Sequence, residues 1–342
     1  MTNKKLATIC IPHYNNEATI VETLDSLLHQ TYQPIKIKIF DNCSTDNSMA
    51  ILNDYAKQYD NIEVIQNEIN IGGEANFTKC LQNGEGAYTA VFHADDVYCP
   101  TIVEEQVHFF ESHPQCGGVA VHAYTIDETS AVTGERFLPV EFSNLKEYVF
   151  SNSLELFRTT LTYGNIITCP SVMARTSVYR EKIQQWNGSQ FKTSADLDVW
   201  LRLVDCGGLG LLTKPLMKYR LSTQSYSYNN MRARIGENDM FLVLEAYKQA
   251  FASKGLLRRN DEEKYQFLIF KDYVNRTINQ IILQKAAHLP LSVFNAGIIK
   301  MALATKMNFK IYSAGCIVLL LRKIPLPKWI LKMMYTIRFG QK

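Results

Sequence analysis

The chain has no Cys-x-x-Cys pair, no glycine-rich phosphate loop, no internal repeat and no low-complexity tract, and no Asp or Glu follows Asp272. Each absence removes a class of protein. The eight cysteines, Cys10, Cys43, Cys80, Cys99, Cys116, Cys169, Cys206 and Cys316, are scattered, and several stand in apolar runs. They read as reduced core thiols of a cytosolic protein, not as zinc ligands or a disulfide framework. Without GxGxxG or a P-loop, dinucleotide oxidoreductases and P-loop NTPases lose support. The N-terminus runs from "MTNKK" straight into "LATICI", without the longer apolar stretch and small-residue cleavage site of a secretory signal. What is present is a chain of 342 residues with 46% apolar and 20% charged residues. That composition supports a substantial core, and the length suits one large domain with an appendage or two domains.

The net charge of +3 conceals an asymmetry. Residues 1–272 carry 25 basic and 33 acidic residues, a net of −8, whereas residues 273–342 carry eleven Lys or Arg and no acid. An acidic body with a basic, apolar tail points to a tail that meets something anionic. Nucleic acid is disfavoured as that partner, because the basic residues are interleaved with a large apolar excess and no nucleic-acid-binding motif is present.

The first half alternates between two periodicities. Residues 6–11, 35–40, 62–66 and 87–92 are short β-branched or alternating runs that predict strands. Between them, residues 17–30 set Ile20, Leu24, Leu27 and Leu28 on one helical face, residues 47–59 predict a helix with Asp46 as N-cap, and residues 75–81 predict another. Such alternation predicts a parallel α/β sheet with right-handed crossovers, whose ligands bind at the carboxyl ends of the strands. Residues 117–225 mix short strands, loops and a few helices, and from about residue 236 the pattern is helical. The expected division is therefore an α/β domain over residues 1–230 and a helical region over residues 231–342.

Three acidic positions stand where chemistry can occur. Asp41 ends a predicted strand and opens "DNCSTDNS"; it reads as a turn or cap acid, or as an acceptor for a base imide N–H. Asp95 and Asp96 follow the strand "AYTAVF". Adjacent carboxylates repel, and a divalent cation, Mg2+ or Mn2+, removes the repulsion and can bridge to a diphosphate; the alternative is a helix cap beside a solvated acid. Asp196 lies in the first turn of an amphipathic helix whose stripe is Leu197, Trp200, Leu201 and Val204. There it reads as a cap or, facing a cleft, as a base that takes a proton from a hydroxyl. Gly72 and Gly73 precede a helix whose backbone N–H groups can face an anion, although most such pairs are simple turns.

In their order and spacing these segments resemble a family 2 glycosyltransferase with a GT-A fold, of the bacterial surface-polysaccharide type. "TICIPHYNNEATIVETLDSLLHQTYQPIKIKIFDNCSTDNS" is similar to the family's opening. "NIGGEANFTKCLQNGEGAYTAVFHADDV" is similar to its Asn/Gly loop and metal-binding strand end, "SADLDVWLRL" to its catalytic-base helix and "YRLSTQSYS" to its closing strand. The resemblance spans about residues 5–230. It implies a mostly parallel sheet flanked by helices, and inverting transfer of a sugar, from a UDP- or dTDP-sugar, to a hydroxyl of a glycan or lipid-linked acceptor. Pro12, Tyr14, Glu17, Asp41, Gly72, Asn76 and Arg220 would border the donor, with Asp41 at the base and Arg220 either at the diphosphate or in a structural ion pair. Asp95 would be the principal metal ligand with Asp96 beside it, both also facing the donor, and Asp196 would be the general base. Three positions depart from the family pattern: His93 and Ala195 stand where many members have an acid, and Ser222 where the closing strand often has His. Ser171 and its neighbours in "GNIITCPSVM" are expected to line the acceptor side.

The tail segment "PKWILKMMYTIRF" sets Trp329, Ile330, Met333 and Ile337 against Lys328, Lys332 and Thr336. That pattern suits an interfacial helix on anionic lipid, or a tail helix packed on its own domain. The longest uncharged stretch of the tail, residues 311–321, is 11 residues, too short to span a bilayer. The expected location is thus the cytoplasm, peripheral on the inner face of the cytoplasmic membrane. Two rivals remain. A nucleotidyltransferase would want a Gly-rich, basic loop after the first strand, which "PHYNNEA" lacks. A non-catalytic sugar-nucleotide-binding or scaffold protein would keep the fold and lose the base.

Overall fold

The computed structural model describes residues 4–221, 234–283, 300, 303, 306–321 and 326–339. The chain divides into two compact units, Met1–Leu221 and Ser222–Lys342. Ser222, which stands where the closing strand of the family often has His, lies outside the described residues.

The first unit is built on one mixed sheet. Strands β1 (Ala7–His13), β2 (Ile35–Asp41), β3 (Ile62–Gln66) and β4 (Tyr88–Val91) pair in parallel in the order β3-β2-β1-β4. They fall on the four predicted strands, because each run is short, apolar and bounded by turn residues. Helices α1 (Ile20–Leu28), α2 (Ser48–Gln58) and α3 (Gly73–Gln82) are the crossovers. α2 starts one residue later than predicted, with Asn47 rather than Asp46 in the cap position, yet Asp46 Oδ1 still accepts from the Ser48 N–H at 3.0 Å.

Beyond β4 the sheet ceases to be purely parallel. β5 (Val97–Tyr98) is followed by helix α4 (Ile102–Ser112), and β6 (Gly118–Ile126) by the short strands β7 (Val132–Glu135) and β8 (Glu147–Phe150). Strand β9 (Met173–Arg175) inserts antiparallel between β4 and β6. β10 (Leu209–Arg220) runs parallel to β6 and takes β8 and β5 antiparallel along its outer edge. The consequence for the site is specific. β4 ends at Val91, β5 begins at Val97, and the intervening turn carries Asp95 and Asp96 beside the end of β10. Helices α5 (Val140–Ser143), α6 (Ser153–Tyr163), α7 (Gly188–Phe191) and α8 (Ala195–Val204) complete the unit. The stripe of α8 is buried as its spacing required: Leu197, Trp200, Leu201 and Val204 are each at most 1% exposed.

In the second unit, helices Met240–Ser253, Arg259–Ile282, Lys306–Leu321 and Lys328–Phe339 are described. Gly315 lets Lys306–Leu321 approach Arg259–Ile282, since a Cβ there would come within 2.8 Å of the Phe270 ring and 2.7 Å of Val274. Among the described residues no helix is long and apolar enough to cross a membrane.

Candidate active site

The turn between β4 and β5 is held from both sides. From α1, Thr23 Oγ1 donates to the carbonyls of Ala94 (3.0 Å) and Asp96 (2.8 Å), and Thr19 Oγ1 donates to that of Ala94 (3.0 Å). From β10, the Arg220 N–H donates to Asp96 Oδ1 at 2.8 Å, and Arg220 Nε donates to the Asp95 carbonyl at 2.8 Å. The Tyr98 hydroxyl meets the His93 N–H at 2.7 Å. A turn pinned at this many points presents its side chains at fixed positions.

Within it, His93, Asp95 and Asp96 bring one ligand-type atom each within 4.8 Å of one another. Asp96 is 1% exposed, and its second oxygen, Oδ2, is buried with no hydrogen-bond partner. A buried carboxylate oxygen left without a donor is costly. Burial, and then the charge of Asp95, push the Asp96 carboxyl well above the usual carboxylate range, while the Arg220 N–H opposes the shift. Burial pulls the His93 imidazole below its ordinary value, so it is neutral and offers a lone pair. Oxygen ligands with an orphaned acceptor among them fit a divalent cation by their chemistry.

The putting-together of distant segments is clearest at Cys169. Its Sγ lies 3.6 Å from His93 Nε2, and its thiol is pushed well up by burial and then by the charges of Asp196 and Asp96. Cys169 therefore touches the β4–β5 turn and lies within electrostatic reach of Asp196 at the start of α8. On α8, Asp196 Oδ2 accepts from Asn165 Nδ2 at 3.0 Å. Burial raises the Asp196 carboxyl to about 6, against the lowering effect of the Leu197 N–H and of Asn165. Neither Asn165 nor Cys169 was singled out from the sequence, and their only signal was membership of the "GNIITCPSVM" segment. Ser171 of that segment is fully buried and donates to the Thr168 carbonyl at 2.7 Å, so it is part of the support and not of an open wall.

The residues expected at the donor separate into open and enclosed. Tyr14 is 44% exposed and Pro12 is half-buried beside it. Glu17 Oε2 accepts from the Asn47 N–H at 2.7 Å and its own N–H reaches Asp46 at 3.0 Å, which ties the two loops together. Gly72 has φ +83°, a conformation that only glycine adopts without strain, and its N–H is taken by Asn70 Oδ1 at 2.9 Å. Asp41 is wholly enclosed. Its carboxylate accepts from Ser44 N–H (3.1 Å) and the Ser44 hydroxyl (2.5 Å), and it meets His13 Nδ1 at 2.9 Å. These three occupy most of the roughly four acceptor directions of a carboxylate. Asn76, only 2% exposed, donates to the Phe40 carbonyl at 2.7 Å and accepts from Asn67, so it is a strut under β2 and not an exposed contact. Arg220 is likewise engaged within the protein: Nη1 donates to the Asp127 carbonyl and Ser130 Oγ, each at 3.0 Å, and Nη2 pairs with Glu22. The guanidinium braces the Asp95–Asp96 turn, with 4% of the residue exposed.

The sequence profile of Glycosyl transferase family 2 matches residues 8–183, about half of the chain. The chain belongs to glycosyl transferase family 2. The protein EpsE of Bacillus subtilis, named as a glycosyltransferase, is 29% identical over 238 residues, covering 69% of this chain and 80% of EpsE. Escherichia coli WfaP, named a UDP-Glc:alpha-D-GlcNAc-diphosphoundecaprenol beta-1,3-glucosyltransferase, is 26% identical over 69% of this chain and 85% of its own length. Among solved structures, mannosyltransferase PcManGT of Pyrobaculum calidifontis, in complex with GDP-Man and Mn2+, superposes with a TM-score of 0.56 over 94% of this chain and 88% of its own, at 15% identity. S. aureus TarS 1-349, in complex with UDP-GlcNAc, gives 0.52 over 81% and 86%, also at 15% identity. The glycosyltransferase has a GT-A fold, a mixed sheet with flanking helices followed by a helical C-terminal region.

Proposed function

We propose that this glycosyltransferase moves a sugar from a nucleoside-diphosphate donor, a UDP- or dTDP-sugar, to a hydroxyl of a glycan or lipid-linked acceptor in surface-polysaccharide synthesis, with inversion at the anomeric carbon. The observation that supports the reading is that Cys169, 3.6 Å from His93 of the Asp95–Asp96 turn, also feels the charge of Asp196. The turn suits a leaving diphosphate and Asp196 a proton acceptor. Asp95 and Asp96 would hold Mg2+ or Mn2+, which when bound offsets the negative charge of the diphosphate. Asp196, raised to about 6, is ionised at neutral pH yet more basic than an ordinary carboxylate. Asn165 orients it, so that it takes the proton of the acceptor hydroxyl as that oxygen attacks the side of the sugar opposite the diphosphate. Tyr14 and the loop of Gly72 supply the open wall for the nucleotide. The relatives support the acceptor class, since WfaP is named for a diphosphoundecaprenol-linked substrate.

The C-terminal helix fits an acceptor carried on lipid. Trp329, Met333 and Ile337 are 66%, 50% and 77% exposed, with the exposed Lys328 and Lys332 beside them. Ile330, expected on that apolar face, is half-buried, and Arg338 bonds Asn275 and Asn279, so the opposite side of the helix is packed. An exposed strip of this composition is suited to the inner face of the cytoplasmic membrane. Replacement of Trp329 and Ile337 by Ser is expected to release the protein from anionic vesicles, and pelleting that survives it would overturn this strip as the membrane contact.

The transferase reading is tested by calorimetry of UDP, GDP, dTDP and CDP with and without Mn2+. Metal-dependent binding of UDP or dTDP is expected. Binding of none of the four by the folded protein would overturn the donor assignment.

A further inference from the structure

The Asp95–Asp96 turn holds a third candidate ligand that is not an acid. We infer that His93 coordinates the cation through an imidazole nitrogen, making an N,O,O site that prefers a first-row transition cation, Mn2+ or Co2+, to Mg2+. The inference rests on the proposed placement of the metal at Asp95 and Asp96, and it concerns which metal is chosen there.

Three observations carry it. The ligand atoms of His93, Asp95 and Asp96 all lie within 4.8 Å of one another, close enough for one ion to be reached by all three after small side-chain adjustments. Asp96 is 1% exposed and its Oδ2 has no partner, so the site contains a buried acceptor that a cation would satisfy. The imidazole is already restrained. The Phe77 ring stands edge-on to it with centroids 5.4 Å apart, Cys169 Sγ is 3.6 Å from Nε2, and the backbone N–H of His93 is held by the Tyr98 hydroxyl. A ligand restrained by its neighbours loses little rotamer freedom on binding.

The ligand chemistry then sets the choice of ion. Mg2+ is hard, prefers oxygen and gives up water reluctantly, and an imidazole nitrogen adds little for it. Nitrogen ligation strengthens binding progressively from Mn2+ to Co2+. An acid at residue 93 would give three oxygens and more negative charge, and would shift the preference back toward Mg2+.

The test is three-pulse electron spin echo spectroscopy of Mn2+ added to the full-length protein, with histidine carrying 14N or 15N. Wild-type protein is expected to show nitrogen modulation that changes with the isotope, and His93→Gln is expected to lose it. In parallel, competition between Mn2+ and Mg2+ should show the Mn2+ preference falling by about tenfold or more in His93→Asp. Bound Mn2+ without nitrogen modulation in the wild type overturns His93 as a ligand and leaves the carboxylate site standing, provided Asp95→Asn abolishes binding. Absence of bound Mn2+ overturns both. The isotope comparison uses only wild-type protein, so a variant that fails to fold does not remove the test.

Discussion

Two acidic sites at strand ends of the same sheet have opposite states. Asp41, at the end of β2, is enclosed and satisfied by His13 and by both donors of Ser44. Asp96, five residues past the end of β4, is enclosed too, but one of its oxygens has no partner. Burial alone therefore does not mark a ligand site. A closed carboxylate organises a loop, because its acceptors are used within the chain. An open one, backed by a second acid, retains an acceptor that the protein itself does not satisfy. Asp196 stands nearer the open kind, half-buried and oriented by Asn165.

The contrast can be broken at each acid. The largest effect is expected at Asp196→Asn, which removes the proposed proton acceptor while keeping the shape: kcat should fall by about 10²–10⁴-fold with UDP affinity nearly unchanged. A variant that retains wild-type turnover would remove Asp196 from the chemistry. The wild-type enzyme should show the same dependence through pH. A carboxyl raised to about 6 is ionised above that value, so kcat should be level above it and fall by about tenfold per unit below it. An acid limb near 4 would show that Asp196 is not the titrating base.

Arg220→Gln probes the brace of the open site. It removes the guanidinium that supports the Asp95 carbonyl and takes from Glu22 its ion-pair partner, leaving it the Ser130 hydroxyl. Mn2+ affinity should weaken by roughly 10-fold, the scale seen when groups supporting a metal ligand are lost. Unchanged Mn2+ affinity would show that the backbone N–H of Arg220 is brace enough. The smallest effect on metal binding is expected at Asp41→Asn. The amide would set a donor against His13 or Ser44, at a cost of about 1–3 kcal/mol in urea-unfolding stability, with Mn2+ affinity unaltered. A loss of Mn2+ affinity equal to that of Arg220→Gln would erase the distinction between the closed and the open acid.

Much of this was legible from residues alone. The four parallel strands and their crossover helices follow from short apolar runs, helical periodicity and turn residues, all of which are local. Asp95 and Asp96 were identifiable because paired acids at the end of a buried strand require a reason. Other features have no local signature. Asn76 was expected at the donor, and Arg220 there or in a structural ion pair; their amide and guanidinium are taken up by Phe40, Asn67, Asp127, Ser130 and Glu22. A polar side chain's partner cannot be read from its own neighbours in sequence when that partner arrives from a distant strand.

Local residue patterns set the strands and helices, the positions of the acids at their starts and ends, and the acidic body with its basic tail. Which acid is closed and which open is settled by packing across the fold. That depends on β10 bringing the Arg220 N–H to Asp96 across 124 residues, and on Cys169 reaching His93 across 76. It depends also on β9 entering antiparallel between β4 and β6. The physical reason is that hydrogen-bond satisfaction and desolvation are set by what surrounds a group in space, and in this fold those neighbours come from remote parts of the chain.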